Sequence, residues 1–304
     1  MRLAVLGMGR MGHALTERLL AGGHAITVWN RTPHKADDLV AKGARSAATP
    51  AEATQVAEVT FMSLADDDAV REVVSGPDGA ATGLGDGVLV DASTVSPETS
   101  AQVARAVSGR FLAAPILGAP AAVLSGDAVY IISGPHELYE RVRPAFEALA
   151  DEGHRRVVGE DPTLAATLKL LSNYLLLSGI AILAETIATA QAVGLADDLI
   201  GDYFGHLPLV APALRNRLDD MVSGDHKGWF ATRLGAKDLR LAEGLARAHG
   251  VPLPLAEAVK RRYEQAAAEG WGDADIGAVV ELVRRGRTGS AADGAISGAQ
   301  QRVG

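Results

Sequence analysis

Three glycines in the run Gly7-Met8-Gly9-Arg10-Met11-Gly12 sit between an apolar stretch, Leu3 to Leu6, and a segment, Ala14 to Ala21, whose alanines and leucines recur at helical spacing. Strand, glycine turn and helix start in that order are what cradling a dinucleotide's diphosphate requires. Gly7 would allow the tight turn, Gly9 the close approach of backbone to pyrophosphate, and Gly12 the packing of helix on strand. The diphosphate would rest on the unpaired N–H groups of the helix start. After the next apolar run, Ala25 to Trp29, a chain that prefers NAD usually places an acidic residue for the ribose hydroxyls, whereas this one reads Asn30-Arg31-Thr32. Arg31 can pair with a 2′-phosphate and Asn30 and Thr32 can donate hydrogen bonds, so the expected cofactor is NADP(H). The competing reading of Arg31 is a solvated arginine at a helix entrance.

Polar groups in apolar settings mark the remaining candidates. The run Val88 to Asp91 delivers Ala92-Ser93-Thr94 beyond the end of a strand, where open α/β sheets bind their ligands. Ser96 is placed to cap the helix that Pro97 opens. Lys169 and Asn173 lie four apart in a long alanine- and leucine-rich helix, so they share a face, and their polar ends need partners there. Lys237-Asp238 follows Trp229-Phe230 in another helical stretch. Either lysine alone also reads as a snorkelling surface residue. Asp66-Asp67-Asp68 suit the first turn of a helix better than a metal site, and no metal is expected.

The elements that must position these groups follow from length and pattern. The 304 residues suffice for a large core and two domains. With 48% hydrophobic but only 4% aromatic residues, the chain suits helices packed closely on parallel strands. A net charge of −8 without a basic run argues against nucleic acid as a partner, and the lack of cysteine excludes disulfides and thiolate chemistry. The N-terminus enters a strand without a charged and apolar leader, which points to the cytoplasm. Strands are expected at Glu58 to Leu64, Phe111 to Pro115, Ala128 to Ile132 and Arg155 to Val158. Helices are expected at Pro33 to Lys42 and His136 to Ala150, and loops at Gly76 to Gly87 and Ile116 to Asp127.

Residues 1–160 form the expected cofactor domain and 161–286 an all-helical one, entered through a helix from Thr163 to about Val193 and continued at Asp198 to Tyr203, Ala211 to Val222, Leu234 to His249, Leu255 to Glu269 and Asp275 to Arg285. The tail 287–304 is expected to be disordered. The most apolar part of the long helix, Leu170 to Leu183, is interrupted by Ser172, Asn173 and Ser178, so it reads as a buried helix rather than a membrane span.

Taken in chain order, these motifs resemble the β-hydroxyacid dehydrogenases, the group of 3-hydroxyisobutyrate dehydrogenase, tartronate semialdehyde reductase and the glyoxylate and succinic semialdehyde reductases. The resemblance runs from Met1 to about Arg285 and rests on Gly7 to Gly12, Asp91-Ala92-Ser93-Thr94, Lys169 with Asn173, and Lys237-Asp238. It implies an α/β fold, with an N-terminal Rossmann domain and an all-α C-terminal domain joined by a long interdomain helix and a site in the cleft between them. It also implies Lys169 as general acid or base on the substrate oxygen, with Asn173 and Ser93 orienting the substrate. Thr94, Lys237, Leu64 and Ala65 would contact the cofactor, Asp238 would support the cleft, and a homodimer or dimer-based tetramer would be the assembly.

One loop departs from the family. Where it typically reads Ser-Gly-Gly to cradle a substrate carboxylate, this chain has Leu117-Gly118-Ala119, which removes a hydroxyl donor and puts an apolar side chain towards the site. The same loop, with Gly159-Glu160-Asp161-Pro162 and Asn30-Arg31-Thr32, is similar to the NADPH-dependent imine reductases, which usually carry aspartate or tyrosine in place of Lys169. Reduction of a small aldehyde or keto acid is the main expectation. Imine reduction is the alternative, and a cofactor-binding scaffold without turnover is the non-enzymatic one.

Overall fold

The computed structural model describes residues 1–286, which divide into two compact units, Met1–Leu171 and the residues from Ser172 onward. The expected tail at 287–304 lies outside the described residues. Nine strands occur in the first unit: β1 (Arg2–Leu6), β2 (Ala25–Trp29), β3 (Arg45–Ser46), β4 (Val59–Met62), β5 (Val88–Asp91), β6 (Phe111–Ala113), β7 (Ile116–Leu117), β8 (Val129–Ser133) and β9 (Arg155–Gly159). Around them run α1 (Arg10–Ala21), α2 (Asp37–Ala41), α3 (Pro50–Gln55), α4 (Asp67–Ser75), α5 (Ala80–Gly83), α6 (Pro97–Ala106), α7 (Pro120–Ser125) and α8 (His136–Leu149).

The sheet order is β3-β2-β1-β4-β5-β6-β8-β7, with β9 paired to β8. From β3 to β6 every pairing is parallel; β8 runs antiparallel to β6 and β7. A parallel sheet covered by helices on both faces needs strands apolar on both faces, and every residue of β4 and β5 is buried. The order turns back on itself between β1 and β4. That is the switch point where open α/β sheets form their ligand crevice, and it puts Gly7 to Gly12 and Leu64-Ala65 at its mouth.

Short elements account for the differences from expectation. The stretch Ile116 to Asp127 is not a plain loop: Ile116 and Leu117 pair with Tyr130 and Val129, and α7 follows. Gly76 to Gly87 contains α5 and buries Ala80 and Leu84. Pro33 to Lys42 splits into a 3-10 turn, Pro33–Ala36, and α2. Runs of two to six residues are too short to carry a readable period.

The second unit is helical. The long α9 (Thr163–Ala192) begins in the first unit and supplies its core wall, followed by α10 (Asp197–His206), α11 (Pro212–Arg215), α12 (Leu218–Ser223), α13 (Thr232–Ala248) and α14 (Pro254–Ala266). The expected helix Ala211 to Val222 is thus broken in two. Asp161 starts α9: the Thr163 N–H and hydroxyl both bond its carboxylate, at 2.9 and 2.7 Å, and hold that carboxyl below its usual range.

By length and composition α9 could cross a membrane. Its Leu177, Ile180, Leu183, Ala184, Ile187 and Ala188 are instead packed into the core of the helical unit. There the buried Tyr263, its phenol pushed far up by desolvation, donates to the Leu177 carbonyl at 3.1 Å. Arg284 bonds Gln191 on α9, the Met221 and Val222 carbonyls and Glu281. Burial opposes ionisation of Glu281, but the hydrogen bonds from His226 and Arg284 outweigh it and hold the carboxyl below its ordinary range.

Candidate functional site

In the first unit the three glycines differ in what forbids a side chain. Gly7 has φ +96°, and a Cβ there would run into the Ser63 carbonyl; a Cβ on Gly12 would overlap the Gly7 carbonyl. Protein packing therefore requires both. Gly9 has an ordinary φ of −73°, and nothing lies within 4 Å of the Cβ it lacks. The protein leaves open the place where a pyrophosphate would sit, above a helix start with no capping side chain and no acidic residue in its first turn. Met8, Arg10 and Met11 complete this turn, and Arg10 and Met11 already belong to α1.

Asn30 closes the turn from the other side. Its Oδ1 accepts the Met8 N–H at 2.8 Å, and its amide donates to the Thr32 carbonyl at 2.8 Å. The side chain expected to donate to a 2′-phosphate thus first holds the glycine turn against the end of β2. Arg31 is 80% exposed at its side chain, with Glu72 at 4.0 Å, a surface contact worth at most about 1 kcal/mol. An incoming phosphate can displace such a partner. Lys35, exposed in the turn after Thr32, was missed by the sequence reading and adds a second cation to this edge.

The Asp91 to Thr94 segment is built by its own carboxylate. Asp91 Oδ1 accepts the Ser93 N–H at 2.9 Å, and Ser93 Oγ in turn accepts the Leu64 N–H at 2.9 Å. Ser93 thereby ties the end of β5 to the Leu64-Ala65 loop after β4. Thr94 is half-buried beside it. Leu117, expected to point into the site, lies in β7 and packs against the apolar core on that side of the sheet. Gly118 has φ +149°, and Ala119 precedes Pro120 at the start of α7.

In the second unit three of the expected residues meet. Asn173 Nδ2 donates to Asp238 Oδ2 at 2.5 Å, and Lys237 Nζ lies 3.1 Å from Asp238 Oδ1. Asp238 and Asn173 are each 3% exposed, so the carboxylate is divided between an amide and an ammonium in a nearly dry setting. Lys169, 8% exposed, stands one turn before Asn173 on α9. Sequence reasoning missed Arg217 and Asp275, 2% and 3% exposed and bonded at 2.8 Å, because they are 58 residues apart and show no pattern.

Two family models match. One, described as the NAD binding domain of 6-phosphogluconate dehydrogenase, covers residues 2–159; the other, described as NAD-binding of NADP-dependent 3-hydroxyisobutyrate dehydrogenase, covers 164–283. The chain belongs to the β-hydroxyacid dehydrogenase superfamily. Members of this family are oxidoreductases that use NAD(P), and the Rossmann-type sheet and helical C-terminal domain described above are their architecture.

Among family relatives, the uncharacterized oxidoreductase YfjR of Bacillus subtilis is 33% identical over 93% of this chain and all of its own length. The cytokine-like nuclear factor N-PAC of Xenopus tropicalis is 34% identical over 91% of this chain, which spans only 52% of that longer protein. Of solved structures, 3-hydroxyisobutyrate dehydrogenase from Salmonella typhimurium superposes with a TM-score of 0.84 at 26% identity, covering 92% of this chain and 99% of that one. An imine reductase from Streptomyces aurantiacus gives 0.62 at 29% identity, covering 93% and 99%.

Proposed function

We propose that the protein is an NADPH-dependent reductase of a small aldehyde or keto acid, running in reverse as a hydroxyacid dehydrogenase. The observation that carries the reading is the polar face of α9: Lys169 is nearly buried, and Asn173 is fixed by a carboxylate that also holds Lys237. A lysine so enclosed has a reason to be there beyond solubility, since burying an ammonium is costly.

The dinucleotide, when bound, supplies the hydride that reaches the carbonyl carbon. The protein's part is placement and proton supply. The glycine turn and α1 hold the diphosphate, and Arg31, Lys35 and Thr32 hold the 2′-phosphate. Lys237 and Thr94 hold the cofactor, and Ser93 and Asn173 donate to the substrate. As the carbon–oxygen double bond opens, the Lys169 ammonium gives a proton from Nζ to the oxygen and becomes a neutral amine; oxidation returns it. Leu175, Ile182 and Tyr203 are large apolar side chains 76%, 59% and 58% exposed, and their exposure supports assembly into a homodimer.

The imine alternative draws on the likeness to the Streptomyces imine reductase and on Leu117-Gly118-Ala119 in place of a serine cradle. Against it stands the ammonium of Lys169, which repels a cationic iminium. Purified protein, with a mass of two copies by light scattering, is expected to oxidise NADPH with semialdehydes or glyoxylate in a panel that includes cyclic imines. Turnover confined to imines overturns the reading in favour of the alternative, and NADPH binding without any turnover leaves a scaffold.

Cofactor choice has its own test. Asn30→Asp keeps an acceptor for the Met8 N–H but replaces the donor to Thr32 with negative charge. The preference for NADPH over NADH should fall on the order of 10- to 100-fold, as expected for about 1.4–3 kcal/mol of like-charge repulsion near a protein surface. Equal loss of both cofactors would place the 2′-phosphate elsewhere.

A further inference from the structure

Helix α13 carries Lys237 and Asp238 but does not secure its own beginning. Ala231 in the capping position offers no side-chain acceptor, so the first N–H groups look elsewhere: Thr232 donates to the Ala274 carbonyl at 2.8 Å and Arg233 to Gly272 at 3.1 Å. The Thr232 hydroxyl adds bonds to the Ala274 and Asp275 carbonyls at 3.1 and 3.0 Å. The helix is thus seated on a segment some 40 residues further along the chain.

Asp275 locks that seat. Its Oδ2 accepts the Trp229 and Phe230 N–H groups, each at 3.1 Å, and its Oδ1 accepts Arg217 Nε at 2.8 Å and the Gly277 N–H at 3.1 Å. The Asp275 N–H donates to the His226 carbonyl, and the Ile276 N–H to that of Phe230. Gly228 has no side chain where a Cβ would overlap this carboxylate, and the Arg217 guanidinium lies 3.9 Å from the centre of the Trp229 ring. Four donors from three separate segments converge on one buried carboxylate.

A buried ion pair is a costly way to stabilise a loop, because well-packed apolar groups do that as well or better. What the carboxylate provides is a fixed register between residues 228–230 and 275–277, and therefore a fixed start for α13. A helix is stiff, and Lys237 lies five residues, about 7.5 Å, beyond Thr232. We infer that Asp275, held by Arg217, is a positioning residue that sets where the Lys237 ammonium stands for the cofactor. The inference rests on the reading of Lys237 as a cofactor contact.

The test measures the NADPH dissociation constant by fluorescence titration, alongside kcat and KM, in the full-length protein. Asp275→Asn should raise the dissociation constant and the KM for NADPH on the order of tenfold or more, with kcat at saturating NADPH changed far less. Gly228→Ala, which displaces the carboxylate while leaving every charge in place, should do the same, and it answers the question if Asp275→Asn does not fold. In a double-mutant cycle, adding Asp275→Asn or Gly228→Ala to Lys237→Ala should weaken NADPH no further than Lys237→Ala alone. Additive losses, or a fall in kcat with the dissociation constant unmoved, overturn the positioning role while leaving Lys237 as a cofactor contact. Unchanged NADPH binding in Lys237→Ala overturns both that contact and the inference.

Discussion

Lys169→Ala is expected to lower kcat for carbonyl reduction on the order of 10²–10⁴-fold, the usual worth of a positioned general acid, while NADPH binds as tightly as before. Lys169 is 8% exposed on a continuous helix, and alanine is the residue a helix tolerates best, so α9 and the Asn173 to Asp238 bond should survive the change. Lys169→Arg separates charge from proton transfer: it keeps a cation but holds its proton too firmly to give it up near neutral pH, so it should recover little activity. Single-turnover kinetics with preloaded NADPH would show the loss in the chemical step. Activity within a few-fold of the parent in both variants would remove Lys169 from the mechanism.

The second large effect belongs to Gly9. Gly9→Val should cost the free protein about 1 kcal/mol or less, because the backbone conformation suits any residue and no neighbour stands in the way. The branched side chain would nevertheless fill the space over the start of α1. Losing two charge-assisted hydrogen bonds at about 1.5 kcal/mol each would weaken NADPH on the order of 100-fold. Gly12→Ala should behave oppositely in its cause, since its Cβ overlaps the Gly7 carbonyl and the fold itself must give way. Thermal melting and NADPH titration on the two variants separate these cases. A Gly9→Val protein that binds NADPH normally would mean that the diphosphate does not use this turn.

The sequence made legible whatever is local and repetitive. The run Gly7 to Gly12 announced a turn whose packing now explains two of its glycines, and the apolar runs at β1, β4 and β5 were visible because buried parallel strands are largely apolar on both faces. The 30 residues of α9 were visible because its length gives periodicity and composition room to speak. Short elements such as β7, α5 and α7 were not, since two to six residues fit a loop as well as a strand or helix.

Among the candidate residues, the face shared by Lys169 and Asn173 follows from a spacing of four. The bond from Asn173 to Asp238 joins residues 65 apart, and nothing in the string of letters announces it. The same holds for Arg217 and Asp275. The pairing of Leu117 with Val129 was likewise unreadable, because a two-residue strand shows no alternation that would assign a face. Long-range polar partners are chosen by the fold, and only the fold displays them.

On the proposed reading of Asn30 as a cofactor-selecting residue, its two bonds, to the Met8 N–H and to the Thr32 carbonyl, give the choice between the two nicotinamide dinucleotides an evolutionary dimension. Asparagine and aspartate have the same shape and differ at one terminal atom, and their codons differ by one nucleotide. An aspartate at this position keeps the acceptor for the Met8 N–H and gives up the bond to the Thr32 carbonyl, so on that reading a single base change trades one cofactor pool for the other while half of the clasp on the glycine turn stays in place.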